Sequence, residues 1–178
     1  MDVDFLRPID DEILEYIDGL TSQQLGSKIV LHTDEQFPDL SKIKIAIIGV
    51  FDNRGDQNAI ADIDLIPVRK ELYGLFPGNW DASIADLGNI LAGNSIQDTY
   101  FAVKKVVASL IKKKIIPIII GGSQDLTYAI YRGYDDLEQM VNLVSIDHKF
   151  DFGKENETMS STSYMTPISM DEPFNLFN

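Results

Sequence analysis

Two apolar segments that each end in a polar loop constrain the fold of this chain most strongly. Residues 115–120 are all isoleucine or proline and lead into the loop 121–125, and residues 141–146 lead into the loop 147–151. Short apolar runs bounded by glycine and polar residues are typical of strands buried in a parallel sheet. In open α/β proteins, ligands and catalytic groups collect at the carboxyl ends of such strands. The sequence therefore predicts a candidate site where these two strands end.

Alternating strand and helix patterns extend this prediction to most of the chain. Residues 43–50 are nearly all apolar and rich in isoleucine, as in a strand that is buried on both faces. Ser95 and Asp98 have the spacing of a capping box and predict the start of the longest helix. Further strands are expected at residues 28–32, 82–87 and 141–146, and further helices at residues 10–17, 68–73 and 124–131. Strands that alternate with helices indicate an α/β fold with a mainly parallel sheet.

Composition and charge exclude several classes of protein. The 178 residues suffice for one domain with a real core, and 44% apolar and 24% charged residues are ordinary for a globular protein. The net charge of −13 disfavours nucleic-acid binding, which needs a basic surface. There is no cysteine for a disulfide or a thiolate metal site. No segment has the length of a membrane span or the pattern of a signal peptide. We therefore expect a cytoplasmic protein without nucleic-acid or membrane partners.

The two strand ends resemble the first two metal motifs of the arginase, agmatinase and formimidoylglutamase family, the ureohydrolases. That family has Gly-Gly-x-His at the first strand end and Asp-x-His-x-Asp at the second. This chain has Gly121-Gly122-Ser123-Gln124 and Asp147-His148-Lys149-Phe150-Asp151. The resemblance implies a three-layer arginase-like α/β fold whose mainly parallel sheet is incomplete at the C-terminus.

The resemblance also suggests how the chain is divided. Residues 1–42 are expected to form an N-terminal extension with a short helix and a strand. Residues 43–153 would form the arginase-like α/β domain, and residues 154–178 an irregular C-terminal segment. Complete members of the family are considerably longer, so we expect either a short relative or the front part of a longer protein.

The two histidine positions of the family motifs are substituted. In a complete ureohydrolase, as the resemblance implies, histidines and aspartates hold two manganese ions, and the hydroxide that bridges them attacks a guanidinium carbon. Gln124 offers only a neutral amide oxygen, which is a poor ligand for manganese, and the ammonium of Lys149 offers no acceptor. The positions Gln124, Asp147, Lys149 and Asp151 are therefore interpreted as a vestigial metal site, with Gly121, Gly122 and Ser123 as its loop. No metal is expected there, although manganese is the cofactor of the family.

Alternation along an extended strand predicts how these side chains are arranged. Asp147, Lys149 and Asp151 would share one face, and His148 would point to the other. We expect the ammonium of Lys149 to lie between the two carboxylates, near Gln124, where it would replace the charge of a metal. His148 is predicted to be a packed histidine rather than a ligand.

Structural interpretations of the same residues remain open. Gly121 and Gly122 are also what a tight turn before a helix requires, and Asp147 and Asp151 are also ordinary for a strand end. A phosphate-binding loop is disfavoured because no glycine-rich nucleotide motif is present. The case for a site depends on both motifs occurring in family order, about one strand–helix unit apart.

Three functional hypotheses follow. The leading one is an arginase-like domain that is not catalytic and has a scaffold or interaction role, with no catalytic residue assigned. The second is a ureohydrolase that acts on C–N bonds of linear amidines and whose catalytic half is missing from this chain. The third is a Rossmann-like domain that binds a small ligand. Because four strands leave a parallel sheet with open edges, we expect the chain to form a homo-oligomer or to pair with a missing C-terminal segment.

Overall fold

The computed structural model describes residues 3–59, 62–79, 83–138, 141–154, 157–170 and 174–177. The strands are β1 (Val30–Leu31), β2 (Ile45–Phe51), β3 (Ile84–Leu91), β4 (Ile116–Ile120), β5 (Val141–Val144) and β6 (Phe174–Phe177). The helices are α1 (Asp11–Asp18), α2 (Ile66–Gly74), α3 (Ile96–Lys112), α4 (Leu126–Asp135) and α5 (Met165–Met170). No helix within these described ranges is long and apolar enough to cross a bilayer.

Four strands form a parallel sheet in the order β1-β3-β2-β4, and β5 pairs with β6 in a second, two-stranded parallel sheet. The main sheet lies between two layers of helices. Alternate residues of β2 enter the two cores: Ile47 packs in the cluster with α1 and α2, and Ile48 packs in the cluster with α3 and α4. The predicted three-layer α/β architecture with a mainly parallel sheet is therefore confirmed.

The strongest local signals of the sequence are also confirmed. Ser95 caps α3 and forms a reciprocal capping box with Asp98, which satisfies two backbone N–H groups at the helix start. Strand β2 is buried along almost its whole length, as its β-branched run predicts. Strand β3 extends four residues beyond the predicted end, to Leu91, because Gly88 adopts φ +84 and the chain continues along the sheet after a register shift.

The structure differs from the expected division of the chain at both ends. Strand β1 lies in the predicted N-terminal extension, but it pairs with β3 and belongs to the main sheet. The C-terminal segment, which the sequence predicts to be irregular, contains α5 and β6. Its short apolar stretches are ordered by tertiary contacts, since Ile168 is fully buried with Tyr164 and Tyr131. The boundaries at residues 43 and 154 stay predictions.

The expected burial of β4 is wrong for one of its faces. Ile116 and Ile118 are 61% and 41% exposed, whereas Ile119 packs against the cluster with α3 and α4. Strand β4 is the last strand of the main sheet, and on the face that carries Ile116 and Ile118 it is Ile120 that packs against the cluster with α1 and α2. Strand β5 shows the same alternation, with Val144 66% exposed.

Candidate functional site

The predicted strand ends do meet. Gly121–Asp125 follows β4 and passes beside the end of β2, where the Ser123 N–H donates to the Asp52 carbonyl at 3.1 Å. The side chain of Gln124 then reaches the loop after β5 and donates through Nε2 to Asp147 Oδ2 at 2.5 Å. The carboxyl ends of β2, β4 and β5 thus form one polar surface, which we call the strand-end site.

The two glycines of the first motif are required by the backbone. Gly121 and Gly122 adopt φ +83 and +78, in the left-handed region that favours glycine. A Cβ on Gly122 would lie 2.0 Å from Leu126 Cδ1 and 3.0 Å from the Asp52 carbonyl oxygen. This observation supports the tight-turn interpretation of Gly121-Gly122, because the turn directs the chain into α4.

Asp147 and Asp151 form a pair of carboxyl groups in direct contact. The hydrogen bond from Gln124, followed by those from Asp151 and the backbone, lowers the pKa of Asp147 to about 2. Burial raises the pKa of Asp151, and the hydrogen bond and charge of Asp147 raise it further. When the pair carries a single proton, the proton therefore lies on Asp151 and the negative charge on Asp147. Asp151 Oδ2 is buried and has no hydrogen-bond partner within the described part of the chain.

The prediction that Lys149 lies between the two aspartates is wrong. Lys149 is exposed and forms no ion pair within 4.0 Å with Asp147 or Asp151, both of which are described. Instead, Asp147 Oδ1 accepts hydrogen bonds from the backbone N–H groups of His148 at 2.5 Å and Lys149 at 3.3 Å. The ammonium of Lys149 acts on Asp151 only through its charge. This charge lowers the pKa of Asp151 and partly offsets the increase caused by burial and by Asp147.

The reason for this error is the end of β5. The strand stops at Val144, and Asp151 adopts φ +48, so the alternation that places every second side chain on one face does not apply to residues 147–151. The prediction of a packed His148 is wrong for the same reason. Its side chain is 82% exposed, and its Nδ1 lies 3.0 Å from Asp147 Oδ1.

Buried polar groups next to this surface were not singled out from the sequence. Asp52 accepts from Arg54 Nη2 at 2.7 Å and from Thr99 Oγ1 at 2.6 Å. Burial works against ionisation of Asp52, but these hydrogen bonds outweigh it and hold the pKa of Asp52 below its ordinary value. Asp125 is fully buried and accepts from the phenol of Tyr100, whose pKa burial raises. The sequence could have indicated the Asp52 pair, because Asp52 directly follows a buried strand and Arg54 lies two residues further on.

A second buried network is centred on Asp86 in β3. Arg69 Nε and Nη2 donate to the two oxygens of Asp86 at 2.8 and 3.2 Å, and both side chains are fully buried. Tyr73 and the Gly88 N–H complete the partners of that carboxylate at 2.5 and 2.8 Å. No local sequence pattern predicted this network, because Arg69 and Asp86 come from different elements. The Asp86 carboxylate accepts four hydrogen bonds, and Arg69 Nη1 alone of the guanidinium nitrogens has no partner among the described residues, so we interpret the network as support for the fold.

The donors at the strand-end site do not fit a two-manganese centre. The carboxylate of Asp147 is already occupied by three N–H donors, and Gln124 directs its amide N–H groups, not its oxygen, at that carboxylate. Among the described residues, no group of three or more His, Cys, Asp or Glu side chains is arranged to hold a metal ion. Three oxygens in the loops of the strand-end site, Ser123 Oγ, Asp125 Oδ1 and Asp151 Oδ2, are buried without a hydrogen-bond partner among the described residues. Two manganese ions need many more oxygen and nitrogen ligands than this set offers.

Comparison with known proteins identifies the family. Residues 57–172, about two thirds of the chain, match the model of the arginase family. The chain belongs to the arginase family. The matched range includes both candidate motifs, so the resemblance inferred from the strand ends is confirmed at the level of the family. No curated protein sequence matches this arginase-family chain significantly.

Solved structures show the same fold. Formiminoglutamase from Trypanosoma cruzi, solved with Mn²⁺, superimposes with a TM-score of 0.69 at 17% identity over 86% of this chain and 56% of that protein. Formimidoylglutamase from Bacillus subtilis gives 0.64 at 16% identity over 78% and 47%, and a putative agmatinase from Clostridium difficile gives 0.62 at 17% over 78% and 55%. The chain thus spans about half the length of the solved proteins that it matches.

Proposed function

We propose that this arginase-family domain does not hydrolyse guanidino compounds and serves as a scaffold or interaction module. The observation that carries the proposal is the environment of Asp147. A carboxylate that would be needed as a metal ligand instead accepts hydrogen bonds from Gln124 and from two backbone N–H groups. Gln124 and Lys149 stand where the family motifs have histidines, so the substitutions and the geometry support the same conclusion.

The chemistry of the proposed site is that of a stable polar surface. Without two metal ions there is no bridging hydroxide of low pKa, and neutral water is a weak nucleophile towards a guanidinium. The charge of Asp147 is stabilised by neutral donors, and Asp151 is buried beside it. This arrangement joins the loop after β4 to the loop after β5 and so fixes the shape of one end of the molecule.

The exposed apolar strands support the interaction role. Ile116, Ile118 and Val144 present apolar side chains to solvent from strands, where a globular protein normally buries them. We propose that further polypeptide covers these exposed side chains. We also propose, from the absence of a membrane span among the described residues and from the sequence, that the protein works in the cytoplasm.

A ureohydrolase that acts on C–N bonds of linear amidines is the second candidate. The buried, unpartnered Asp151 Oδ2 favours it, because an oxygen in that state is suited to bind a cation. In this case, polypeptide corresponding to the unmatched half of the solved relatives would supply the remaining ligands. Manganese would stay the cofactor, as in the solved T. cruzi protein.

Turnover assays separate the two candidates. The purified chain is incubated with Mn²⁺ and with arginine, agmatine or formimidoylglutamate, and urea, ammonia or formamide is measured. The proposal expects no turnover above a metal-only blank. It also expects none from the double variant Gln124→His/Lys149→His, because restored histidines do not supply the other ligands. Metal-dependent turnover by the unmodified chain would overturn the proposal.

A further inference from the structure

A groove lies at the carboxyl end of β3, between residues 4–7, the loop after β3 and the first turns of α3. Its volume is about 460 Å³, within the range of sites that bind small molecules. Ile90 and Ala102, which belong to the main core, and Phe5 and Leu91 give it an apolar lining. Strand β3 pairs with β1 on one side and with β2 on the other, so the groove does not arise from an open edge of the sheet.

Hydrogen bonds fix both walls of this groove. Arg7 and Asn89 exchange two backbone N–H···O=C bonds at 2.8 Å, which hold the N-terminal wall against β3. In the opposite wall, Arg54 Nη2 donates to the Gly93 carbonyl at 2.9 Å, and the Gly93 N–H donates to Thr99 Oγ1 at 3.0 Å. A site whose backbone is fixed before the ligand arrives loses less conformational entropy on binding.

Charges of both signs line the groove. The side chains of Asp4 and Arg7 are exposed and form no ion pair or hydrogen bond with each other or with another described residue. Asp98 Oδ2 accepts hydrogen bonds from the Ser95 N–H at 2.8 Å and from Ser95 Oγ at 2.9 Å. These bonds hold the pKa of Asp98 below its ordinary value, so the carboxylate is charged at neutral pH. The groove therefore offers one unpaired guanidinium and two carboxylates.

This combination of charges selects for a ligand that carries both signs. A phosphate or a dicarboxylate would be repelled by the two aspartates, and a metal cation would be repelled by Arg7. The helix start supplies no anion site, because Ser95 and Asp98 use its N–H groups in their capping box. A guanidinium binds a carboxylate through two parallel hydrogen bonds, and carboxylates accept hydrogen bonds from an ammonium group. A molecule with one carboxylate and one ammonium satisfies both kinds of group.

We propose that the groove binds a free α-amino acid with an apolar side chain. Its carboxylate would pair with Arg7, and its ammonium group with Asp4 and Asp98. Its side chain would cover part of Leu91, which is 52% exposed. No residue that lines the groove belongs to the loops 121–125 and 147–151, so the inference does not depend on whether the domain is catalytic.

The test is a titration of the full chain, labelled with ¹⁵N, with L-leucine followed by amide NMR. We expect saturable shifts of the Leu91, Gly93 and Asn94 amides at millimolar leucine. Two comparison ligands each lack one charge: leucinamide has no carboxylate, and isocaproate has no ammonium group. Each should bind about fivefold more weakly than leucine, the change that the loss of one solvated ion pair produces.

Substitutions identify the residues that read each charge. Arg7→Gln should weaken leucine binding about fivefold and should remove the difference between leucine and leucinamide. The matched control is Lys28→Gln, which removes an exposed cation that does not line the groove and should bind leucine as the unmodified chain does. Asp4→Asn should weaken leucine binding but not isocaproate binding, and Asp34→Asn, at another exposed aspartate, is its control.

Three results would overturn the proposal. The first is the absence of saturable shifts at residues 91–94 with millimolar leucine. The second is binding of leucinamide or isocaproate that is as tight as that of leucine, because the groove would then not recognise both charges. The third is equal leucine binding by Arg7→Gln and Lys28→Gln.

Discussion

The buried ion pair between Arg69 and Asp86 makes a strong prediction about stability. Both side chains are 0% exposed, and the guanidinium meets the carboxylate through two hydrogen bonds at 2.8 and 3.2 Å. Replacing Arg69 with Met leaves the carboxylate of Asp86 in the core with only the Tyr73 phenol and the Gly88 N–H as donors. Breaking a buried pair in this way costs about 3–5 kcal/mol. For a chain of this length, that corresponds to a fall in Tm of about 6–20 °C.

The matched control is the neighbouring residue of the same helix. Lys70 pairs with Glu12 at 2.6 Å, but the two side chains are 33% and 57% exposed to solvent. Lys70→Met should therefore cost about 1 kcal/mol at most. Thermal melts by circular dichroism at pH 7 compare the two variants, and a double variant Arg69→Met/Asp86→Leu should recover much of the loss because it removes the stranded charge. If Arg69→Met lowers Tm no more than Lys70→Met does, the reasoning about the buried pair is refuted.

Further predictions concern the strand-end site. Lys149→Met should change the free energy of unfolding by less than about 0.5 kcal/mol, because Lys149 is exposed and unpaired with either aspartate; a large loss in urea unfolding would contradict the geometry. The pKa of Asp147 is about 2 in the folded chain against 3.8 ordinarily, so its contribution to stability is present above about pH 4 and lost as pH falls towards 2. Urea unfolding at pH 2–5 should show this loss in the unmodified chain and a smaller one in Asp147→Asn. Because burial and Asp147 raise the pKa of Asp151, its ionisation opposes folding at neutral pH, and Asp151→Asn should keep or raise Tm at pH 7. Gly122→Ala should lower Tm, since its Cβ would lie 2.0 Å from a Leu126 methyl at φ +78; an unchanged melt would show that the turn is not as tight as described.

The sequence predicted those parts of the fold that depend on local patterns. The capping box of Ser95 and Asp98 identified the start of α3, and the β-branched run of residues 43–50 identified a strand buried on both faces. Both signals act within one element, so tertiary contacts did not override them. The order of the two strand-end motifs identified the arginase family, which the match over residues 57–172 confirms.

The parts that the sequence did not predict depend on where elements end and on contacts between distant residues. The expected position of Lys149 assumed an extended chain up to Asp151, but β5 ends at Val144. A strand boundary is set by pairing with β6, which a local pattern does not contain. The ion pair of Arg69 and Asp86 joins residues 17 positions apart in different elements, so nothing in either segment indicates it.

The manganese content of the chain decides whether the strand-end site is a metal centre. The full chain is dialysed against Mn²⁺ at pH 7.5, freed of loosely held metal on a desalting column, and analysed for bound manganese by elemental analysis. We expect far less than one manganese per chain, and no difference between the unmodified chain and Asp147→Asn, because Gln124 and backbone N–H groups already occupy that carboxylate. Two tightly held manganese ions per chain that are lost in Asp147→Asn would contradict it.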